Sequence, residues 1–206
     1  MKEFVLGQGP GHKFEMAIGR NDGDSTHVEW LSSGDNFKSV MLLAEGKAEL
    51  VVKPDIYLHR LGLTAIIPPT MGEKTIADSR DIFTGYLDSD FKNWGLDVKG
   101  EVKPGTQVEV LELAKNGTFE QFFNSLGVAL DRLVLTDEQI IWVVKNRPDL
   151  LVLDGSANFF LKKRGDEFFV ANVYRDEGRL EVSARRLSDG SVWYAGYRRR
   201  IVVPQL

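Results

Sequence analysis

The sequence contains no cysteine, which excludes disulfides, thiolate nucleophiles and cysteine-ligated zinc. It has no apolar run approaching the roughly 20 residues that a membrane-spanning helix needs. The opening residues, Met1-Lys2-Glu3-Phe4-Val5-Leu6-Gly7, carry neither an apolar signal core nor a cleavage site. The expectation is a soluble, cytoplasmic protein with no membrane partner. In that setting the sequon Asn116-Gly117-Thr118 is idle.

Several catalytic signatures are also missing. Gly7-Gln8-Gly9-Pro10-Gly11-His12-Lys13 invites a phosphate-loop reading. However, His12 separates Gly11 from Lys13, and Phe14 stands where a hydroxyl residue would bind magnesium, so a plain loop is the better reading. There is no Gly-x-Ser-x-Gly elbow for a serine hydrolase. Histidine is scarce, with His12, His27 and His59 only. His27 follows Asp22 and Asp24 and precedes Glu29. On a strand, His27 and Glu29 would share a face and, with a loop carboxylate, could ligate a hard or borderline metal. The spacing lacks the later ligands of a calcium loop. A polar turn before a solvated strand is therefore favoured, with no cofactor expected. His59 reads as an ordinary strand histidine.

What is present is ordinary globular composition: 206 residues, 43% hydrophobic and 27% charged, enough to bury a sizeable core in one large domain or two small ones. The most legible stretch is the C-terminal one. Residues 157–163, 167–174, 179–187 and 191–203 are rich in Phe, Tyr, Trp and Val. They are separated by Arg164-Gly165-Asp166, Asp176-Glu177-Gly178 and Ser188-Asp189-Gly190. Gly beside Asp marks turns, and aromatic or β-branched residues suit a pleated surface. The pattern predicts a four-strand antiparallel meander.

Upstream, three Thr-x-x-Glu/Gln patterns predict short helices with capping boxes: Thr106 with Glu109, Thr118 with Gln121, and Thr136 with Gln139. Phe119, Phe122, Phe123 and Leu126 form one apolar stripe at helical spacing. Further upstream, short apolar pieces at 4–6, 14–18, 28–31, 48–52, 56–61, 63–67 and 82–86 read mostly as strands between loops. The fold class that follows is α+β. A β-rich N-terminal region (1–95) precedes a region of three short helices and a C-terminal four-strand antiparallel sheet (96–206), with the two regions either separate or one continuous domain.

Phe83-Thr84-Gly85-Tyr86-Leu87-Asp88, Phe91-Lys92-Asn93-Trp94 and the ending Trp193-Tyr194-Ala195-Gly196-Tyr197-Arg198 with Val202-Val203-Pro204-Gln205-Leu206 resemble recurring features of an uncharacterised family of small hypothetical bacterial proteins. The resemblance covers residues 80–206. That family has no assigned activity, so the resemblance implies no site, cofactor or partner.

Charge supplies the functional hint. The chain totals −4, yet from Leu151 onward ten Lys or Arg stand against seven Asp or Glu, which leaves the first 150 residues at −7. If residues 191–203 are one extended strand, Tyr194, Arg198 and Arg200 share a face, and Trp193, Tyr197 and Arg199 share the other. Cations interleaved with aromatic rings suit single-stranded RNA or DNA, with charges for phosphates and rings for bases. The candidate nucleic-acid-binding residues are Arg185, Tyr194, Arg198 and Arg200. The plainer reading is that these arginines cover rings or pair with Glu across strands. The sequence thus points to a non-enzymatic binding protein for single-stranded nucleic acid. The alternative is a protein-interaction or assembly module, and a hydrolase or metal-dependent enzyme is third.

Overall fold

The computed structural model describes residues 13–14, 16–18, 20–48 and 56–206. The expected strand at 4–6, residues 7–12 of the glycine-rich loop, and residues 49–55 of the expected strand pair (48–52 with 56–61) lie outside the described residues. The chain packs as two compact units, residues 1–54 and 55–206.

The first unit is helical where strands were expected. Residues 13–14, 16–18 and 20 are helical, followed by α1 (Ser25–Ser32) and α2 (Asn36–Ala44). A helix start explains the correction at 28–31. The Asp24 carboxylate accepts from the Thr26 and His27 backbone N–H groups, and the His27 ring lies against the Asp24 backbone N–H. Orphan donors of the first turn are thereby satisfied in both directions.

The second unit runs β1 (Leu58–Ile67), α3 (Asp90–Asn93), β2 (Thr106–Leu113), α4 (Phe119–Asn124), α5 (Asp137–Asn146), β3 (Asn158–Arg164), β4 (Glu167–Asp176), β5 (Arg179–Arg186) and β6 (Arg200–Pro204). Helix and sheet combine as an α+β arrangement around one six-stranded sheet of order β1-β2-β6-β3-β4-β5. The junction expected near residue 95 falls inside this unit, where β1 pairs with β2.

Local chemistry accounts for the C-terminal hairpins. Glu177 and Gly178 both have positive φ, +45° and +80°, which is the two-residue turn that matches strand twist. β3, β4 and β5 form the antiparallel meander read from the sequence. The fourth strand does not extend it. The outer edge of β5 is already taken, because Gly85 N–H donates to the Leu180 carbonyl, Asp88 N–H to that of Val182, and Val182 N–H to that of Tyr86. β6 instead lies beside β3, parallel to it, and antiparallel to β2.

Thr106 begins a strand, not a helix. Gln107-Val108-Glu109-Val110 alternates with period two, and Val108 and Val110 are buried, so the strand period overrides the capping signal. The Thr106 hydroxyl accepts from Gln139 Nε2. The other two capping boxes form as expected, Thr118 with Gln121 and Thr136 with Gln139.

The alternation of side chains splits the core in two. Phe160, Phe169 and Val202 pack with Phe91 of α3 and with Ile140 and Val143 of α5. On the other face, Phe159, Leu161, Ile201 and Val203 pack with Phe119, Phe122 and Phe123 of α4. The phenylalanine stripe is therefore core, with Leu126 half-buried beside it.

Candidate functional site

The candidate residues lie on or next to the segment between β5 and β6. Trp193 anchors that segment. Its backbone exchanges hydrogen bonds with Gly117 (2.8 and 3.2 Å), and its ring packs on Phe119 and Phe159 at centroid distances of 5.1 and 4.8 Å. Position 117 requires glycine, since a Cβ there would stand 2.9 Å from both the Phe122 and Tyr57 rings. The chain then makes a single turn over Ala195–Tyr197, held by Asn116 Oδ1, which accepts from Ala195 N–H. Arg198 follows with φ +53°.

That left-handed residue corrects the extended-strand reading. Tyr194, Arg198 and Arg200 do not share the face of one strand. Tyr194 and Tyr197 bracket the turn and are 56% and 60% exposed. The turn also gathers a residue that was assigned to the opposite face. The Arg199 guanidinium sits 4.7 Å from the Tyr197 centroid and 4.8 Å from that of Trp193, and it donates to the Tyr194 carbonyl at 3.0 Å. Burial pushes the Arg199 guanidinium below its ordinary pKa. Arg198 is exposed and 3.7 Å from Glu112.

The remaining candidates go elsewhere. Arg200 is half-buried and donates to the Leu150 and Asp149 carbonyls at 2.9 and 3.4 Å, tying the Pro148–Leu150 turn to β6. Arg185 lies on the edge strand β5, three strands from β6, or about 14 Å at the usual strand spacing. It shares a shallow depression with Trp94 and Asp189. The structure thus brings Tyr194 and Arg198 together, adds Trp193, Tyr197 and Arg199, and leaves out Arg185 and Arg200. The turn is also rich in unsatisfied donors. Trp193 Nε1, Arg199 Nε and Arg200 Nε are buried without a hydrogen-bond partner, a cost that an added acceptor would relieve.

A second place was not legible as a site. Lys162 occupies an inward position of β3, two residues from Phe160, and is almost wholly buried. Its ammonium contacts the Asp137 carboxylate at the start of α5 and lies 5.6 Å from the Phe91 ring centroid. Burial pushes the Lys162 pKa down to about 7, while the adjoining carboxylate opposes that shift by favouring the charged form. A sequence signal did exist. A lysine in register with inward-facing aromatics needs a buried partner.

The Asp22–Glu29 cluster resolves into the α1 cap. His27 Nδ1 lies 2.9 Å from Asp24 Oδ1. The Thr26 hydroxyl, more than His27, lowers the Asp24 pKa to about 2. On a helix, His27 and Glu29 point apart, unlike on the strand expected for them. Among the described residues, no group of three or more His, Asp or Glu is placed to hold a metal ion, and no helix is long and apolar enough to cross a membrane. No protein family, no curated protein and no solved structure matches this chain.

Proposed function

We propose that this chain is a non-enzymatic binding protein that takes single-stranded RNA or DNA on the turn at residues 192–199. The observation that carries the reading is a turn with two exposed tyrosines, Tyr194 and Tyr197, whose Arg199 stacks on the Tyr197 and Trp193 rings, with Arg198 exposed beside them. Open rings offer stacking platforms for bases, and Arg198 offers a charge to phosphate. Arg200 serves the fold in this reading, and Arg185 stands outside the contact.

The test is a titration with a labelled single-stranded oligonucleotide at low and moderate salt. Binding should weaken as salt rises, because neutralised phosphates release counterions. Arg198→Ala should weaken binding to every sequence tested and reduce the salt slope by about one. Absence of binding at tens of micromolar protein in low salt would sink the reading. A second reading then leads, favoured by the exposure of Val192 next to Tyr194 and Tyr197. An apolar and tyrosine-rich patch suits a protein partner, whose binding would be far less sensitive to salt.

A further inference from the structure

The cleft that holds Lys162 encloses about 280 Å³, at the small end of ligand pockets. Its walls are the loop around Gly72, residues 95–101, the start of α5 and the end of β3. Both signs of charge line it, but they are not equally free. Asp137 uses one oxygen on Lys162 and the other on the Ile76 N–H. Glu138 accepts the backbone N–H groups of Gly72 and Glu73 at 2.6 and 3.1 Å. These two carboxylates are therefore occupied in holding the loop against α5, and a third, the exposed Glu101, faces Lys103 at 3.4 Å.

Of the cations at the mouth, one has a carboxylate partner. Lys163 pairs with Asp131 at 2.6 Å. Lys74, Lys99 and Arg164 also line the cleft, are exposed, and have no ion pair or hydrogen bond from their side chains among the described residues. Arg164 Nε lies 3.8 Å from where a Cβ on Gly95 would sit, so its guanidinium lies beside Gly95 at the rim. Beneath them lie the buried Lys162 charge and apolar walls from Leu96 and Leu135. A concave site with low-dielectric walls concentrates the field of such charges.

We propose that this cleft is a binding site for a small phosphate-bearing molecule, held at the mouth by Arg164, Lys99 and Lys74 above the Lys162–Asp137 pair. Arg164 supplies a fork matched to two phosphate oxygens, and the lysines act as point charges around it. The cleft volume suits a compact phosphate ester or diphosphate. This site lies on the opposite face of the sheet from the tyrosine turn, because Lys162 points with Phe160 and Trp193 packs with Phe159.

The test is calorimetric titration of the full chain with inorganic pyrophosphate at low ionic strength. The expected result is saturable binding at one site per chain. Lys99→Ala combined with Arg164→Ala should weaken it by about tenfold or more, since hydrogen bonds to charged groups are among the strongest. Both side chains are exposed, so this variant should fold. Arg198→Ala should bind pyrophosphate as the parent does, which separates this site from the oligonucleotide surface. No saturation at millimolar pyrophosphate would overturn the proposal. So would retention of full affinity in the double variant, or an equal loss in Arg198→Ala.

Discussion

The tyrosine turn and the Lys162 cleft both present positive charge, and they do so by opposite means. At the turn, the arginines are supported by rings, and Tyr194 and Tyr197 stay open to solvent. In the cleft, the central charge is sunk between α5 and β3 against a carboxylate, and its exposed helpers stand around the rim. Arg198, Tyr194 and Tyr197 are exposed, so removing any one of them costs the fold little. A buried ammonium depends entirely on its partner. The difference teaches that one region can change without unfolding the protein, whereas the floor of the other is part of the structure.

The sharpest way to break the comparison is Lys162→Met. It leaves Asp137 buried and uncompensated, and removing one partner of a buried pair typically costs about 3–5 kcal/mol. Urea unfolding measures it, and a loss under about 1 kcal/mol would mean that the pair is effectively solvated. The pH dependence reads the same pair without deleting atoms. Burial lowers the Lys162 pKa from 10.5 to about 7 in the folded protein. Between those values the unfolded chain holds a proton that the native state releases. This group's contribution therefore rises with pH across that window and is least favourable below it. Relative to Lys162→Met, the parent should gain stability from neutral to alkaline pH. A flat difference would mean that the Asp137 carboxylate cancels the effect of burial.

At the turn, the foundation should matter more than the surface. Trp193 packs on two buried phenylalanines, so Trp193→Ala should cost about 2–3 kcal/mol, below a fully buried aromatic because the ring is only half-buried. Thermal unfolding would show it. Tyr194→Ala and Tyr197→Ala should each change stability by less than about 0.5 kcal/mol. Each should still lower oligonucleotide affinity by about 1–3 kcal/mol, the range for one stacked base. If the stability losses at Trp193 and Tyr197 proved equal, the division between anchor and surface would fail.

The sequence carried the parts of the fold that depend on neighbours in the chain. The meander at 158–186 follows from its turns, and the Thr118 and Thr136 caps from their spacing. What it did not carry was set by distant partners. The edge of β5 was closed by residues 85–88, which sent the last strand to the middle of the sheet. The Thr106 cap pattern lost to strand pairing on both sides of β2. The site was legible in composition, with tyrosine and arginine concentrated near the end of the chain, but not in geometry. The left-handed backbone at Arg198 regrouped the side chains, and the pairing of Lys162 with Asp137 joins residues 25 positions apart.

The most direct test of two separate anion-facing surfaces is heteronuclear NMR of the labelled full chain, titrated first with a single-stranded oligonucleotide and then with pyrophosphate. The account predicts that the oligonucleotide shifts amides at 192–199 and leaves 95–101 in place. Pyrophosphate should shift residues 72–74, 95–101 and 162–164 and leave the turn in place. Both ligands moving the same set of amides, or the oligonucleotide moving none at 192–199, would contradict it.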